Sequence, residues 1–338
     1  MNLAIVDDKE IDHNKWSHFI ENHHGGSIFQ TPEFFQVCQG TKRYEPYFLA
    51  AVDKSVQIQA LLLAVFIKEF GGPCGRISSR SIIQGAPLFL DTNEGKSALK
   101  FLMTEYDKTA KRKALYSQIR NLTDVTESQS MFQELGYAYE GHLNYILDLD
   151  KSEDELFAAL SKERRYGVRK CSKAGVSIVE IRRADRIEGA YSLLQQTYST
   201  AGLPLADVSL FESAIRLLGP KNMIRVFLAE KDGVPASTIM LLIYKGVIYD
   251  WYAGASKEHL NLCPNDLVTW HAIRYGLESK ASLFDFGGAG KPGEHYGVRE
   301  FKKQFGGRMV NYGRFIKIHN PRRLRIAEKG FQILRKFR

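Results

Sequence analysis

Two distant stretches of this 338-residue chain carry the same short pattern. Pro46-Tyr47-Phe48-Leu49-Ala50-Ala51-Val52-Asp53 and Ile224-Arg225-Val226-Phe227-Leu228-Ala229-Glu230-Lys231-Asp232 share Phe-Leu-Ala-x-x-Asp before a turn. An apolar strand follows each, Gln59 to Phe66 in the first case and Ser237 to Tyr244 in the second. Further on, Ala114 to Gln118 corresponds to Ser282 to Phe286, each after an amphipathic helix. Identity in the same element order points to a duplicated α/β fold, each half a mixed sheet flanked by helices. The length suits two domains of about 150 to 190 residues. Ser152-x-x-Glu155 forms a capping box that opens a new helix, so the boundary is expected near Asp150. The division is then 1–150, 151–320 and a terminal segment 321–338.

Charge narrows the partners. The chain carries a formal charge of +9 with a pI near 9.2, which favours phosphates, RNA or a lipid headgroup surface. A helix expected over Glu153 to Ala174 places Lys162, Arg165, Arg169 and Lys173 at helical spacing, with only Glu163 opposing them. A solvated face is one reading of that stripe and a phosphate-facing surface the other. The tail from Pro321 to Arg338 has seven Lys or Arg against Glu328, with Leu324, Ala327, Phe331 and Leu334 on one stripe. Such a helix suits an inner membrane surface or an RNA backbone, or else docks on its own domain.

The beginning, Met1-Asn2-Leu3-Ala4-Ile5-Val6-Asp7-Asp8, has no basic segment leading into a long apolar core, so no cleaved signal is expected. The apolar run Ala60 to Ile67 falls far short of the ~20 residues that cross a bilayer. A cytoplasmic protein is expected, with peripheral membrane contact through 321–338. Cys38, Cys74, Cys171 and Cys263 lack paired spacing, so neither a zinc site nor a disulfide framework is expected.

The chemistry concentrates in Leu283 to Gly307. A short apolar strand, Leu283-Phe284-Asp285-Phe286, leaves through Gly287-Gly288 into a polar, flexible glycine-rich turn and re-enters order in a short helix. There Lys302 lies between Phe301 and Phe305. A lysine beside aromatic packing after a loop is either a site residue or a stem lying along apolar surface. Gly287 to Pro292 is not a P-loop, because it lacks the glycine spacing and the Ser or Thr after the lysine. No Gly-x-Ser-x-Gly elbow, His-Glu-x-x-His or dinucleotide fingerprint is present. His295, in the loop, could act as a base; His271 reads as structural.

Asp285-Phe286-Gly287-Gly288, then Gly297, Phe301-Lys302 and Phe305-Gly306, resembles the C-terminal signature of the Fem family, the peptidoglycan-bridge aminoacyltransferases. The likeness extends to Ser161–Gly175 and to Tyr252-Ala253-Gly254. It implies two tandem GNAT-like domains and transfer of an aminoacyl group from aminoacyl-tRNA to an amine of a UDP- or lipid-linked precursor. By the same resemblance Lys302 would stabilise the oxyanion, with Phe301 beside it, and Tyr252 would contact sugar-nucleotide phosphates. Asp285 is the nearest carboxylate, as proton acceptor or as anchor of the loop. Tyr296, Lys162, Arg165 and Arg169 complete the expected substrate surface, and no cofactor is expected. Positions where the family carries a lysine, an arginine and a tyrosine fall near Gln36, Ala206 and Leu210, so much of its grip on a UDP diphosphate is missing. The loop that cradles acetyl-CoA in GNAT enzymes is glycine-rich. Its place here is Asn261-Leu262-Cys263-Pro264-Asn265-Asp266, without glycine and with one amide removed by Pro264. The alternatives are an N-acyltransferase using acyl-CoA or an acyl carrier on an amino sugar, and a silent tandem scaffold binding RNA or a membrane surface.

Overall fold

The computed structural model describes residues 3–68 and 78–327. His142–Asn311 form one compact unit, and the described residues before and after them form the other.

The first sheet contains β1 (Ala4–Val6), β2 (Tyr44–Val52), β3 (Ile58–Lys68), β4 (Ser79–Gln84), β6 (Tyr116–Arg120), β15 (Arg314–Ile318) and β7 (Ala138–Glu140) in that spatial order, with β5 (Leu88–Phe89) on β3. The second runs β9 (Ser177–Glu180), β10 (Ile224–Lys231), β11 (Val234–Tyr244), β12 (Val247–Ala255), β13 (Leu283–Gly288), β8 (Leu143–Asp148) and β14 (Arg308–Asn311). The two orders match position by position. Each has one parallel pair, β4 with β6 and β12 with β13, among antiparallel neighbours. Phe48 and Phe227 both lie on the second strand of their sheet, which is why the repeated pattern was visible.

The sixth strand of each sheet comes out of chain order. β8 precedes the rest of its unit, and β15 follows the whole of the other. The division at Asp150 therefore differs from the compact units, which change at 141/142 and again at 311/312. A capping box marks where a helix starts and says nothing about which sheet the preceding strand joins.

The first unit has the helices α1 (His13–Asn22), α2 (Pro32–Gln39), α3 (Asn93–Lys113) and α4 (Gln129–Glu134), and α3 lays Ala98, Leu99, Leu102, Met103, Tyr106 and Ala110 on the sheet at helical spacing. In the second, α9 (Pro264–Glu278) buries Val268, Ala272 and Ile273 in one core with Leu241, Ile248, Phe284 and Phe286. The helices α7 (Glu188–Ala201) and α8 (Val208–Leu218) pack on β10–β12.

The long basic helix is two helices, α5 (Glu153–Ala159) and α6 (Lys162–Lys173). Leu160 is extended and buried, and the Ser161 hydroxyl accepts the Arg164 amide as a new N-cap. Arg165 donates to the carbonyls of Ala158, at 2.7 Å, and Leu160, so it closes the end of α5. Residues 321–327 are helical. The rest of the basic tail, with Phe331 and Leu334, and Cys74 lie outside the described residues. Among those residues, Cys38, Cys171 and Cys263 are free thiols, and no helix is long and apolar enough to cross a membrane.

Candidate active site

The parallel pair is where the two sheets differ. In the first, β4 and β6 stay paired to their last residues, Gln84 with Arg120. In the second, β12 and β13 pair only from Val247/Leu283 to Tyr249/Asp285. Beyond that rung β12 continues along β11 and β13 along β8. Both strands carry a register shift at the parting. On β12, Asp250 faces Leu241 and Tyr252 faces Met240, which leaves Trp251 as the extra residue. On β13 the shift falls between Asp285 and Gly288. Bulges bend a strand and end its pairing, so the sheet opens at Asp250 and Asp285.

Gly287 makes the second bulge possible. Its φ is +71°, a conformation that glycine adopts without penalty. The Asp285 Oδ1 accepts the Gly287 amide at 2.7 Å and the Asn144 side-chain amide at 3.4 Å. Asp285 is 3% exposed.

Lys302 comes from α10 (Gly297–Lys303). Its Nζ donates to the Gly288 carbonyl at 2.8 Å, and a Cβ on Gly287 would lie 4.0 Å from Nζ and 3.5 Å from the Asp250 carbonyl oxygen. The cation therefore stands at the opening. Burial lowers the Lys302 pKa, while Asp250 and Asp285 raise it. Burial pushes Asp285 up to about 6 against the Gly287 hydrogen bond and the charge of Lys302. Asp250 is also pushed up to about 6 by burial, with Lys302 opposing and Asp285 adding to the rise. Two carboxylates and one ammonium thus share a site in which neutral and charged forms lie close in free energy.

Aromatic packing fixes α10. Phe301 and Phe305 lie 5.0 Å apart between ring centroids, and Phe305 is fully buried against Phe286. Over Phe301, at 5.2 Å, sits the guanidinium of Arg164 on α6. Arg164 also donates to Gln304 Oε1 at 2.9 Å and pairs with the buried Asp266. Ser161 and Gln304 are joined by backbone and side chain. The glycine-rich loop expected to be flexible is tied as well. Arg299 donates to the carbonyls of Ala289, Glu294 and Lys291, and the backbones of Leu143 and Ala289–Gly290 pair.

Of the expected site residues, the structure brings Lys302 and Asp285 together, with Phe301 packed under Arg164. The Tyr252 ring lies tilted at 5.6 Å from that of Tyr198 on α7 and edge-on to Phe211. The phenol of Tyr198 is pushed up by burial and then by Tyr252, Asp250 and Tyr296, which sets these residues in one neighbourhood. Lys162 and Arg169 are exposed on α6, Arg169 lying 5.3 Å over Phe157, and Arg165 is occupied by α5. Gln36 is exposed, Leu210 is buried, and the Ala206 carbonyl accepts from Tyr191. His271 packs against Phe227 at 4.6 Å, and His295 is exposed. Sequence reasoning missed Asp250, Arg164, Asp266 and Arg299. Asp250 lies two residues before Tyr252, within reach of the quoted motif, but only the bulge gives it a place.

At the N-terminus of α9, Cys263 is left-handed, at φ +62°, and Pro264 opens the helix. The buried carboxylate of Asp266 occupies its first turn. Burial pushes that carboxyl up to about 6, with Arg164 opposing. An anion belonging to the protein itself therefore stands in the turn that would otherwise offer amides to a diphosphate.

Residues 159–303 match the acetyltransferase (GNAT) domain family. The lipid II:glycine glycyltransferase of Staphylococcus aureus is 21% identical over 377 aligned residues, covering 85% of this chain and 87% of that protein. Among solved structures, FemX superposes with a TM-score of 0.71 at 19% identity, over 96% of this chain and 99% of FemX. A tandem GNAT protein from the clavulanic acid biosynthesis pathway gives 0.60 at 12%, over 95% and 99%. Two matched sheets, one opened beside a half-buried cation, and these likenesses define a tandem GNAT-fold acyltransferase. Within that class the chain is like the Fem-type proteins just described, the likeness that its C-terminal signature implied.

Proposed function

We propose that this protein transfers an aminoacyl group from aminoacyl-tRNA to an amine of a cell-wall precursor, at the opening between β12 and β13. The observation that carries the reading is the parting of these strands beside Lys302, which β4 and β6 of the first sheet, paired to their last residues, do not repeat. In this reading the acyl carbonyl enters the opening, and the Lys302 ammonium meets the oxyanion as the amine adds. One such donor is worth about 3 kcal/mol, or roughly a hundredfold in rate. Phe301 packs α10 against Phe305 and Arg164, Tyr296 precedes its first turn, and Tyr252 lines the approach. The exposed Lys162 and Arg169 of α6 supply positive charge for the phosphates of the donor. Asp266 in the first turn of α9 supports a donor other than acyl-CoA. The name of the staphylococcal relative makes lipid II the first acceptor to test, with a UDP-linked muropeptide beside it.

The test incubates the purified protein with total tRNA charged with radiolabelled amino acids, plus lipid II or the UDP-linked muropeptide. Labelled acetyl-CoA is the competing donor. Label passing from tRNA to acceptor is expected; transfer from acetyl-CoA alone would overturn the donor.

A further inference from the structure

Two carboxylates flank Lys302, and they are not equivalent. Asp285 is committed: it is almost wholly buried, and its Oδ1 holds the Gly287 amide and the Asn144 side chain. It anchors the bulge whose Gly288 carbonyl holds Lys302. Asp250 stands across the opening, one residue past the last rung shared by the two strands. It is half-buried, and among the described residues its carboxylate makes no hydrogen bond. The Trp251 bulge places it there, since without the extra residue β12 would keep a continuous register with β11.

We propose that Asp250 is the catalytic base, taking a proton from the attacking amine nitrogen and returning it to the leaving oxygen of the acyl ester. This rests on the transfer reading above. As the nitrogen lone pair forms the N–C bond, the carbonyl π pair moves to oxygen, where Lys302 meets it, and the N–H proton passes to Asp250. When the intermediate collapses, the C–O bond breaks and the leaving oxygen takes that proton. Amine and ester have become amide and alcohol, and Asp250 and Lys302 end as they began. The groups facing Asp250 are Lys302 from α10, Asp285 from β13 and Tyr198 from α7. Burial and Asp285 push its carboxyl up, and Lys302 limits the rise, to about 6. A carboxyl in that range can both accept and release a proton near neutrality.

The experiment compares the wild type with Asp250→Asn, Asp250→Glu and Asp285→Asn, using whichever donor turns over, charged tRNA or acetyl-CoA. Asp250→Asn should lower kcat by at least about a hundredfold, with the acceptor KM within roughly threefold. The wild type is expected to lose rate below about pH 6, and Asp250→Asn should abolish that fall. Asp250→Glu should recover part of kcat and keep that acid limb. An acid limb that persists in Asp250→Asn and vanishes in Asp285→Asn would overturn the assignment. A second arm needs no turnover: carbodiimide coupling of glycine ethyl ester to the wild type, read by peptide mapping. Coupling at Asp250 and not Asp285 is expected, and the reverse overturns the division of roles. If neither donor turns over, the transfer reading fails, and this arm still judges Asp250.

Discussion

Lys302 donates from Nζ to the carbonyl oxygen of Gly288 at 2.8 Å. The bond joins the end of α10 to the end of the strand that leaves the sheet, so the position of the cation depends on the bulge at Gly287. One of the three ammonium donors is thereby used, which leaves two for other partners.

Lys302→Met keeps most of the volume of the stem and removes the charge. Turnover should fall by at least about a hundredfold, while thermal stability and acceptor binding change little. Arginine should rescue poorly, because a planar fork does not fit a place set by an ammonium. Full activity of the methionine variant in the charged-tRNA assay would remove Lys302 from the chemistry.

Gly287→Ala tests the bulge. Space is adequate, since the nearest atom to the new Cβ is 3.5 Å away, but the left-handed backbone is unfavourable to alanine by about 1–2 kcal/mol. Stability should drop by about that amount, and turnover should drop further than stability accounts for, because the Gly288 carbonyl moves with the turn. Equal turnover at a lowered melting temperature would separate the bulge from the site.

The fold was legible because duplication leaves the same residues on the same strand: Phe48 and Phe227 needed no tertiary information. Lys302 and Asp285 were legible through a contiguous motif. Asp250 was not, because its place depends on a bulge at Trp251 that no local propensity signals. Arg164 was not, because its partners Asp266 and Gln304 lie on other helices. The basic stripe was half legible: spacing found the helix face, but not that Arg165 turns back to close α5. The places that β8 and β15 take in their sheets could not be read, since pairing between distant segments leaves no periodicity.

Arg164→Ala should destabilise the protein by about 3–5 kcal/mol, because it leaves the buried carboxylate of Asp266 without its partner. Denaturant unfolding measures this. Asp266→Asn in the same background should recover part of the loss. No recovery would show that the packing over Phe301, not the ion pair, is the main contribution.

The α6 surface separates into exposed charges, Lys162, Arg169 and Lys173, and a structural one, Arg165. Replacing exposed Lys162, Arg169 and Lys173 by alanine should weaken tRNA binding and flatten its salt dependence, with the fold intact. Arg165→Ala should instead lower the melting temperature, since it uncaps α5. Unchanged tRNA affinity and salt slope in the triple variant would make this helix face merely solvated.

The last prediction concerns pH. Asp250 has a folded pKa of about 6 against an ordinary value of 3.8. The native state therefore holds this proton more tightly than the unfolded chain does. Its contribution is present in full below the ordinary value and is lost as pH rises through about 6. Asp266 and Asp285 follow the same sign, whereas Asp124, Glu155 and Asp185 have lowered values and lose their contribution only in more acid solution. A single group is isolated by comparing the wild type with Asp250→Asn. The variant should be the more stable protein at pH 7.5, where Asp250 would carry an ill-solvated charge, and its advantage should shrink steadily as pH falls toward the ordinary carboxylate range. Melting curves of both proteins across this range measure the difference. A constant offset would mean that Asp250 titrates like an exposed carboxylate, in which case it would be fully ionised at neutral pH and a weak base for any amine.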